Sequence, residues 1–316
     1  MTGSAGTTGA AGVAGYRPLL FSIAYGMTGS VGDAEDLVQD AFLGFTRADR
    51  AGTAVADPKA YLTTAVTRLG INHLTSARVR REAYVGQWLP EPVVTTAERP
   101  GPAEHAELAD TLSMAFLVLM EALSPVERAV FTLREAFGYG YPEVAEMVGK
   151  SEANCRQILA RARKRLAPAA REDETVAPAP ARRAEGEELA RRFFEVAEGG
   201  DLDALLGMLA PDVVFQGDGG GKARALAHSL TDPRRVAQLL VGGLRRVRRL
   251  GARLVPARVN GRPGAVVYDA EQRVAGVIEL DIDADGAVRS VHAVSNPDKL
   301  AHLGPVSGLG LLPAPK

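Results

Sequence analysis

A chain of 316 residues, 46% hydrophobic and 24% charged, has room for two or three cored domains and is too apolar to be a disordered chain. One cysteine excludes an internal disulfide framework and fits a reducing compartment; no apolar run is long enough to cross a bilayer, and the N-terminus lacks the charged-then-apolar order of a secretory leader. A cytoplasmic protein without membrane partners is expected, and the net charge of −1 hides separate acidic and basic segments.

Residues 1–15 are rich in Gly, Ala and Thr and read as a disordered tail. From Tyr16, Leu19, Leu20, Ile23 and Ala24 recur at helical spacing. After a Thr-Gly-Ser turn comes DAEDLVQDAF, with Asp33 as expected N-cap and Leu37, Ala41 and Phe45 as the buried stripe. Its four acids without a base read either as a solvated face near a helix N-terminus or as a docking surface for a basic partner. In the following helix Asp57 caps, Pro58 opens the first turn, and Leu62, Ala65, Val66 and Leu69 form the expected stripe. That helix ends in a polar, basic run: Arg68, Asn72, His73, Arg78, Arg80 and Arg81. Cations for a phosphate backbone and amide or ring side chains for exposed bases fit a nucleic-acid face.

Residues 84–103 are proline-rich and aperiodic, as in an extended linker, and hold the only tryptophan within Trp88-Leu89-Pro90-Glu91-Pro92. A lone large aromatic there reads as a docking contact or as local packing on the preceding domain. A buried core helix is expected over 106–120, and Ser124-Pro125-Val126-Glu127 is a capping box opening a helix to about Ala136.

Phe137–Leu166 then reads as helix, turn and basic helix. Pro142 falls in a first turn, Gly149 suits a positive-φ C-terminus, Ser151 suits an N-cap, and Cys155 and Ile158 face inward. Cys155 is a small apolar core residue there rather than a redox switch. The spacing is that of a helix-turn-helix, whose second helix enters the major groove, or of an ordinary helical hairpin with a basic face.

The acidic helix, the DPKAYLTTAVTRLGINHLTSAR helix and the RQILARARKRL helix, in that order, resemble a bacterial extracytoplasmic-function sigma factor over about residues 16–168. The resemblance implies that Asp33, Asp36, Gln39, Asp40 and Phe42 bind the β′ clamp helices of RNA polymerase core, with the β flap a second core contact. It implies that Arg68, Asn72, His73, Arg78, Arg80 and Arg81 melt and read the −10 element of promoter DNA. The −35 element would fall to Ser151, Asn154, Arg156, Gln157 and Arg161, with Arg163, Lys164 and Arg165 on phosphates. Two all-α domains, 16–83 and 104–168, are expected.

A Pro/Ala/charge linker (169–184) leads to a third domain, 185–302, followed by a tail (303–316). Helices near 187–198, 202–209 and 233–249 alternate with strands near 212–216, 253–259, 265–268, 274–283 and 287–294, with Asn260-Gly261 and Asp285-Gly286 as turn signals. That is an α+β fold whose order resembles the SnoaL-like (NTF2-like) cone. Asp218-Gly219-Gly220-Gly221-Lys222 is not a phosphate loop, because Gln216 and Ala223 stand where Gly and Ser or Thr are needed. With Asn296-Pro297-Asp298-Lys299-Leu300 and the Trp-Leu-Pro-Glu-Pro segment, it resembles the sigma-factor subgroup with a fused C-terminal SnoaL-like domain. That resemblance implies a regulatory third domain; the lone tryptophan in a polar linker leads to the expectation that the two motifs lie close together and contact the linker around Trp88. Asp218, His228, Asp269 and His292 are the candidate acid–base groups of a rival reading, a DNA-binding module fused to a small-molecule enzyme. No motif fixes an acid–base pair, so no catalysis, metal or cofactor is expected, and a small ligand in the cone is compatible with regulation.

Overall fold

The computed structural model describes residues 10–53, 55–82, 84–95, 112–167 and 180–311. The expected tail over 1–9, the linker residues 96–103 and 168–179, and the final residues 312–316 lie outside it. Two compact units emerge, Met1–Arg78 with Ala122–Pro168, and Val79–Glu121 with Ala169–Lys316.

The first unit is all-helical. After the short turns Ala10–Val13 and Ala14–Tyr16, α1 spans Arg17–Thr28 and ends on Gly29 at φ +64°. Helix α2 spans Val31–Arg50 and α3 spans Pro58–Glu82. The cap of α2 is Ser30 rather than Asp33, whose N–H donates to Ser30 Oγ at 3.1 Å. Ser30 has the extended backbone an N-cap needs, and Asp33 sits one turn inside, where a carboxylate complements the helix dipole. Asp57 does cap α3 through the Ala60 N–H, at 3.0 Å. The buried rows of α3 are Leu62, Val66, Gly70 and Leu74 with Thr63 and Thr67, while Ala65 and Leu69 are only half-buried. The threonines can turn inward because each hydroxyl donates to a carbonyl one turn back. Gly70 leaves room for Met27, whose Cε would stand 2.9 Å from an added Cβ.

Helix α4 (Met114–Met120), capped by Ser113, is shorter than the core helix expected over 106–120 and belongs to the second unit. A side-chain cap ends a helix at its N-terminus, and residues 101–111, Leu108 among them, lie outside the described residues. Back in the first unit, α5 (Pro125–Phe131) opens with the full Ser124–Glu127 capping box and runs into a π-turn, Thr132–Ala136. Then come α6 (Tyr141–Val148) and α7 (Glu152–Leu166), joined by Gly149 at φ +66° and Ser151.

The second unit is built on a six-stranded sheet in the order β1-β3-β4-β5-β6-β2. Its strands are β1 (Val94–Thr95), β2 (Leu209–Asp218), β3 (Arg253–Val259), β4 (Arg262–Tyr268), β5 (Val274–Ile282) and β6 (Val288–Val294). All pairs are antiparallel except β2 with β6. Helices α8 (Pro180–Gly199), α9 (Leu202–Leu206) and α10 (Pro233–Arg249) bury Phe193, Val236, Leu240 and Leu244 with Phe215, Val267, Ile278 and Val291 of the sheet. A second cluster holds Leu89, Met114, Val259, Val266, Val277 and Val294. Helix α11 (Pro297–Leu300) follows β6. Residues 303–311 are packed rather than a free tail: Val306 bridges to Val274, and Leu311 is buried. This is the mixed α+β, SnoaL-like domain.

Candidate functional site

Three surfaces gather the residues singled out in the sequence. On α2, Asp36, Gln39 and Asp40 are exposed, Asp33 is half-buried, and Phe42 turns toward the flank. Helical spacing puts Leu43 on the same outward face, and at 44% exposure it is one of three exposed large hydrophobics among the described residues. Sequence reading passed over Leu43, although it stands seven after Asp36 and three after Asp40.

The basic end of α3 is partly engaged within its own unit. Arg68 Nε and Nη2 donate to the carbonyls of Met147 and Glu146 at 3.2 and 2.8 Å, capping the C-terminus of α6. His73 Nε2 lies 3.2 Å from Asp33 Oδ2, while Asn72 is exposed. The side chains of Arg78, Arg80 and Arg81 lie outside the described residues.

In the helix-turn-helix, Ser151 caps α7 through the Asn154 N–H at 3.3 Å. Cys155, Ile158, Leu159, Ala162 and Leu166 form its inner face, where burial pushes the Cys155 thiol up and keeps it inert. Gln157, Arg161 and Lys164 point outward and are exposed, with Asn154 half-buried beside them. Arg156 stacks 4.7 Å over the Tyr141 ring and pairs with Glu152 at 3.0 Å. Arg163 pairs with Glu135 at 2.8 Å and Arg165 with Glu127 at 2.7 Å. Burial pushes the Glu127 carboxyl up, but the Ser124 N–H and hydroxyl, with Arg165 and Arg161, outweigh it and hold it below the usual range.

The third surface is a clasp inside the second unit. Residues 84–95 lie along the sheet domain and add β1 to its edge, Val94 pairing with Val259. The Lys299 ammonium, 7% exposed, is 2.7 Å from Asp218 Oδ2, donates to the Leu89 carbonyl, and sits 4.8 and 4.3 Å from the rings of Tyr84 and Trp88. Asp218 accepts from the Leu89 N–H at 2.8 Å, the Tyr84 hydroxyl at 2.5 Å and the Gly220 N–H at 2.9 Å. Burial, then the bond to and charge of Asp218, push the Tyr84 phenol far up, so it stays a donor. Asn296 Nδ2 donates to Tyr84 Oη at 2.8 Å, and the Ser295 and Asn296 N–H groups donate to the Asp218 carbonyl. Lys222 pairs with Asp298 at 2.7 Å, Pro297 opens α11, and Leu89, Pro90 and Leu300 are buried. So Asp218–Lys222, Asn296–Leu300 and the Trp88 segment lie together.

The glycines have a steric reason. A Cβ on Gly219 would stand 2.0 Å from the Ala223 carbonyl oxygen, and one on Gly220 2.2 Å from Asn296 Nδ2. Gly220 and Gly221 have φ of +57° and +70°. Further along, Asn260 Oδ1 accepts from the Val93 N–H at 3.1 Å while its Nδ2 donates to the Leu112 carbonyl at 3.0 Å, and His302 meets the Pro92 carbonyl. Tyr84 and Asn260 were missed as clasp residues; Asn260 had registered only as a hairpin turn.

The acid–base candidates stand apart. Asp218 belongs to the clasp and His228 is exposed. Burial raises the Asp269 carboxyl, but Ser307 and Arg273 outweigh it and hold it at about 2, where it closes the β4–β5 turn. His292 lies 2.5 Å from Glu279, both buried. No cluster of metal-holding side chains occurs among the described residues, and none of their helices is long and apolar enough to cross a membrane.

Against known proteins, residues 13–80 match the family model described as Sigma-70 region 2, and residues 113–166 match Sigma-70, region 4. The ECF RNA polymerase sigma factor SigJ of Mycobacterium tuberculosis is 39% identical over 294 residues, 90% of each chain. The probable ECF RNA polymerase sigma factor SigI of the same species is 30% identical over 287 residues, 90% of this chain and 92% of that one. The crystal structure of M. tuberculosis SigJ superposes with a TM-score of 0.70 at 34% identity, covering 94% of this chain and 98% of that one.

Proposed function

The chain belongs to the extracytoplasmic-function (ECF) RNA polymerase sigma factors, non-enzymatic initiation factors that partner RNA polymerase and promoter DNA, and from that premise we propose how its surfaces divide the work. The outward face of α2, with Asp36, Gln39, Asp40 and Leu43, engages the β′ clamp helices, and the β flap receives the region around α5–α7. The basic end of α3 holds the melted −10 strand. Helix α7 enters the −35 major groove with Asn154, Gln157 and Arg161 toward bases and Lys164 toward phosphate, Arg156 bracing against Tyr141. Arg163 exchanges Glu135 for phosphate, an easy exchange because a surface ion pair contributes only about 0–1 kcal/mol, whereas Arg165 is held by buried Glu127.

The SnoaL-like domain regulates this activity through the clasp. The observation that carries the reading is Lys299, a buried cation with Asp218 on one side and the Tyr84 and Trp88 rings on the other. A segment held that firmly fixes the path of the chain between the region 2 and region 4 helices, so its release changes what the two readers can reach. A second reading, a small polar ligand in the sheet domain, is supported by buried Glu279 Oε1 and Ser290 Oγ, which have no hydrogen-bond partner among the described residues.

Run-off transcription with purified core polymerase on a promoter library tests the clasp. The Lys299→Met chain leaves Asp218 its three neutral donors but breaks the ion pair, and its output should differ from the natural chain by several-fold. Equal output from both chains would remove the regulatory role.

A further inference from the structure

Residues 234–258 hold eight arginines and no acid, inside a chain whose net charge is −1. The structure sorts these arginines into two sets. Arg246 donates to the Gly310 carbonyl, Arg253 to Gln272, and Arg258 lies 3.9 Å from Glu187. Arg234, Arg235, Arg245, Arg248 and Arg249, all on α10, are exposed and have no acidic partner among the described residues. Elsewhere in the same domain Arg191, Arg262, Arg273 and Arg289 each have one. An ordinary solvated face mixes signs and pairs them; this one does neither.

The helix explains how the stripe is displayed. Val236, Ala237, Leu240, Leu244 and Val247 anchor one side of α10 in the domain core. Arg234, Gln238, Arg245 and Arg249 fall on the opposite side, with Arg248 and Arg235 flanking them. From Arg234 to Arg249 the stripe runs about 22 Å at ~1.5 Å per residue, long enough to follow several successive phosphates. At its middle, Gly242 is exposed, with nothing within 4 Å of where a Cβ would be, so a backbone can come close.

We infer that α10 is a third, sequence-independent DNA-binding element that grips the phosphate backbone of duplex DNA. Guanidinium groups suit carboxylates as well as phosphates, so an acidic protein surface is the competing partner. Two features favour DNA. Between Arg234 and Arg249 no aromatic or large apolar side chain is exposed, and exposed Leu250 stands past the end of the stripe; protein interfaces rely on such anchors at their centre, and phosphate binding does not need them. It also belongs to a chain whose work places it on promoter DNA at high local concentration.

The test is equilibrium binding of the full chain, assembled with core polymerase, to a fluorescent promoter duplex with long flanks, across about 50–200 mM salt. Each phosphate contact contributes about 0.9 to the slope of log K against log salt. The Arg245→Gln/Arg248→Gln/Arg249→Gln chain should bind DNA at least tenfold more weakly at low salt, with a slope shallower by about 2–3, while the matching lysine triple keeps most of the slope. An unchanged slope overturns the proposal. So does a triple that loses affinity for core polymerase while its DNA slope stays intact, which would identify an acidic protein partner. An unaltered urea midpoint, read from Trp88 fluorescence, confirms that these exposed replacements leave the fold in place.

Discussion

At Gly220 the absence of one methyl group decides whether the clasp can close. Its φ of +57° is costly for any side chain, and an added Cβ would enter the Asn296 amide that holds Tyr84. The Gly220→Ala chain should lose roughly 2–4 kcal/mol of stability in the second unit. Gly242 offers the matched control, a helical glycine with open space around it, where alanine should add about 0.5–1 kcal/mol. Trp88, the only tryptophan, lies in the clasp, so urea unfolding followed by its fluorescence reads both variants. If Gly220→Ala matches the natural midpoint, the steric account of the glycine run is wrong. The same reasoning accounts for Lys299. Its charge is tolerated at 7% exposure because a carboxylate, a carbonyl and two ring faces replace its water.

Helix α2 turns a sequence pattern into a two-sided element, with Ala34, Leu37, Val38, Ala41 and Phe45 inward and Asp36, Gln39, Asp40 and Leu43 outward. An acidic row around one exposed leucine has the make-up of a small interface: an apolar centre with charges that steer and orient. The Asp36→Lys/Asp40→Lys chain should therefore bind core polymerase at least about tenfold more weakly, or about 1.4 kcal/mol, with its helical circular dichroism unchanged. Equal affinity in a competition assay would move the docking surface elsewhere. Elements like this one were legible in the sequence because their signals are local. Gly149 and Ser151 set the turn between α6 and α7, Ser124 and Glu127 close a capping box, and Asn260-Gly261 makes the β3–β4 hairpin with both residues at positive φ. What stayed hidden depends on distant partners. Tyr84 meets groups 134 and 212 residues away, and nothing near it announces a buried phenol. The buried row of α3 was misjudged because Thr63 and Thr67 satisfy their hydroxyls within the helix and pack like valines. Asp33 resembles a cap because it is an acid before an apolar run, whereas the capping hydroxyl belongs to Ser30, three residues upstream.

Across the first unit, two arginines tie the region 2 helices to the region 4 helices. Arg128, 5% exposed and at the start of the region 4 helices, donates through Nη1 to the Met27 carbonyl at the end of α1, at 2.9 Å. Arg68 completes the attachment by capping α6. Elements centred at −10 and −35 are separated by about 25 base pairs, or roughly 85 Å at ~3.4 Å per step, whereas helices joined by hydrogen bonds are neighbours. Reading both elements at once therefore requires these bonds to break, and their strength sets part of the cost of promoter binding. Arg128 separates this effect from DNA contact, because its side chain is buried against α1 and does not lie on the outward face of α7. The Arg128→Met chain keeps the aliphatic volume and loses the donor, a change of about 1–3 kcal/mol at a buried carbonyl. Fluorescent labels on α2 and α7 should report a broader, longer distance in the free Arg128→Met chain than in the natural one. With core polymerase present, its promoter complex should form faster or to a greater extent, because less has to be undone. A slower or weaker promoter complex would mean that the Arg128–Met27 bond persists on DNA, and that the separation of the two readers takes place elsewhere in the chain.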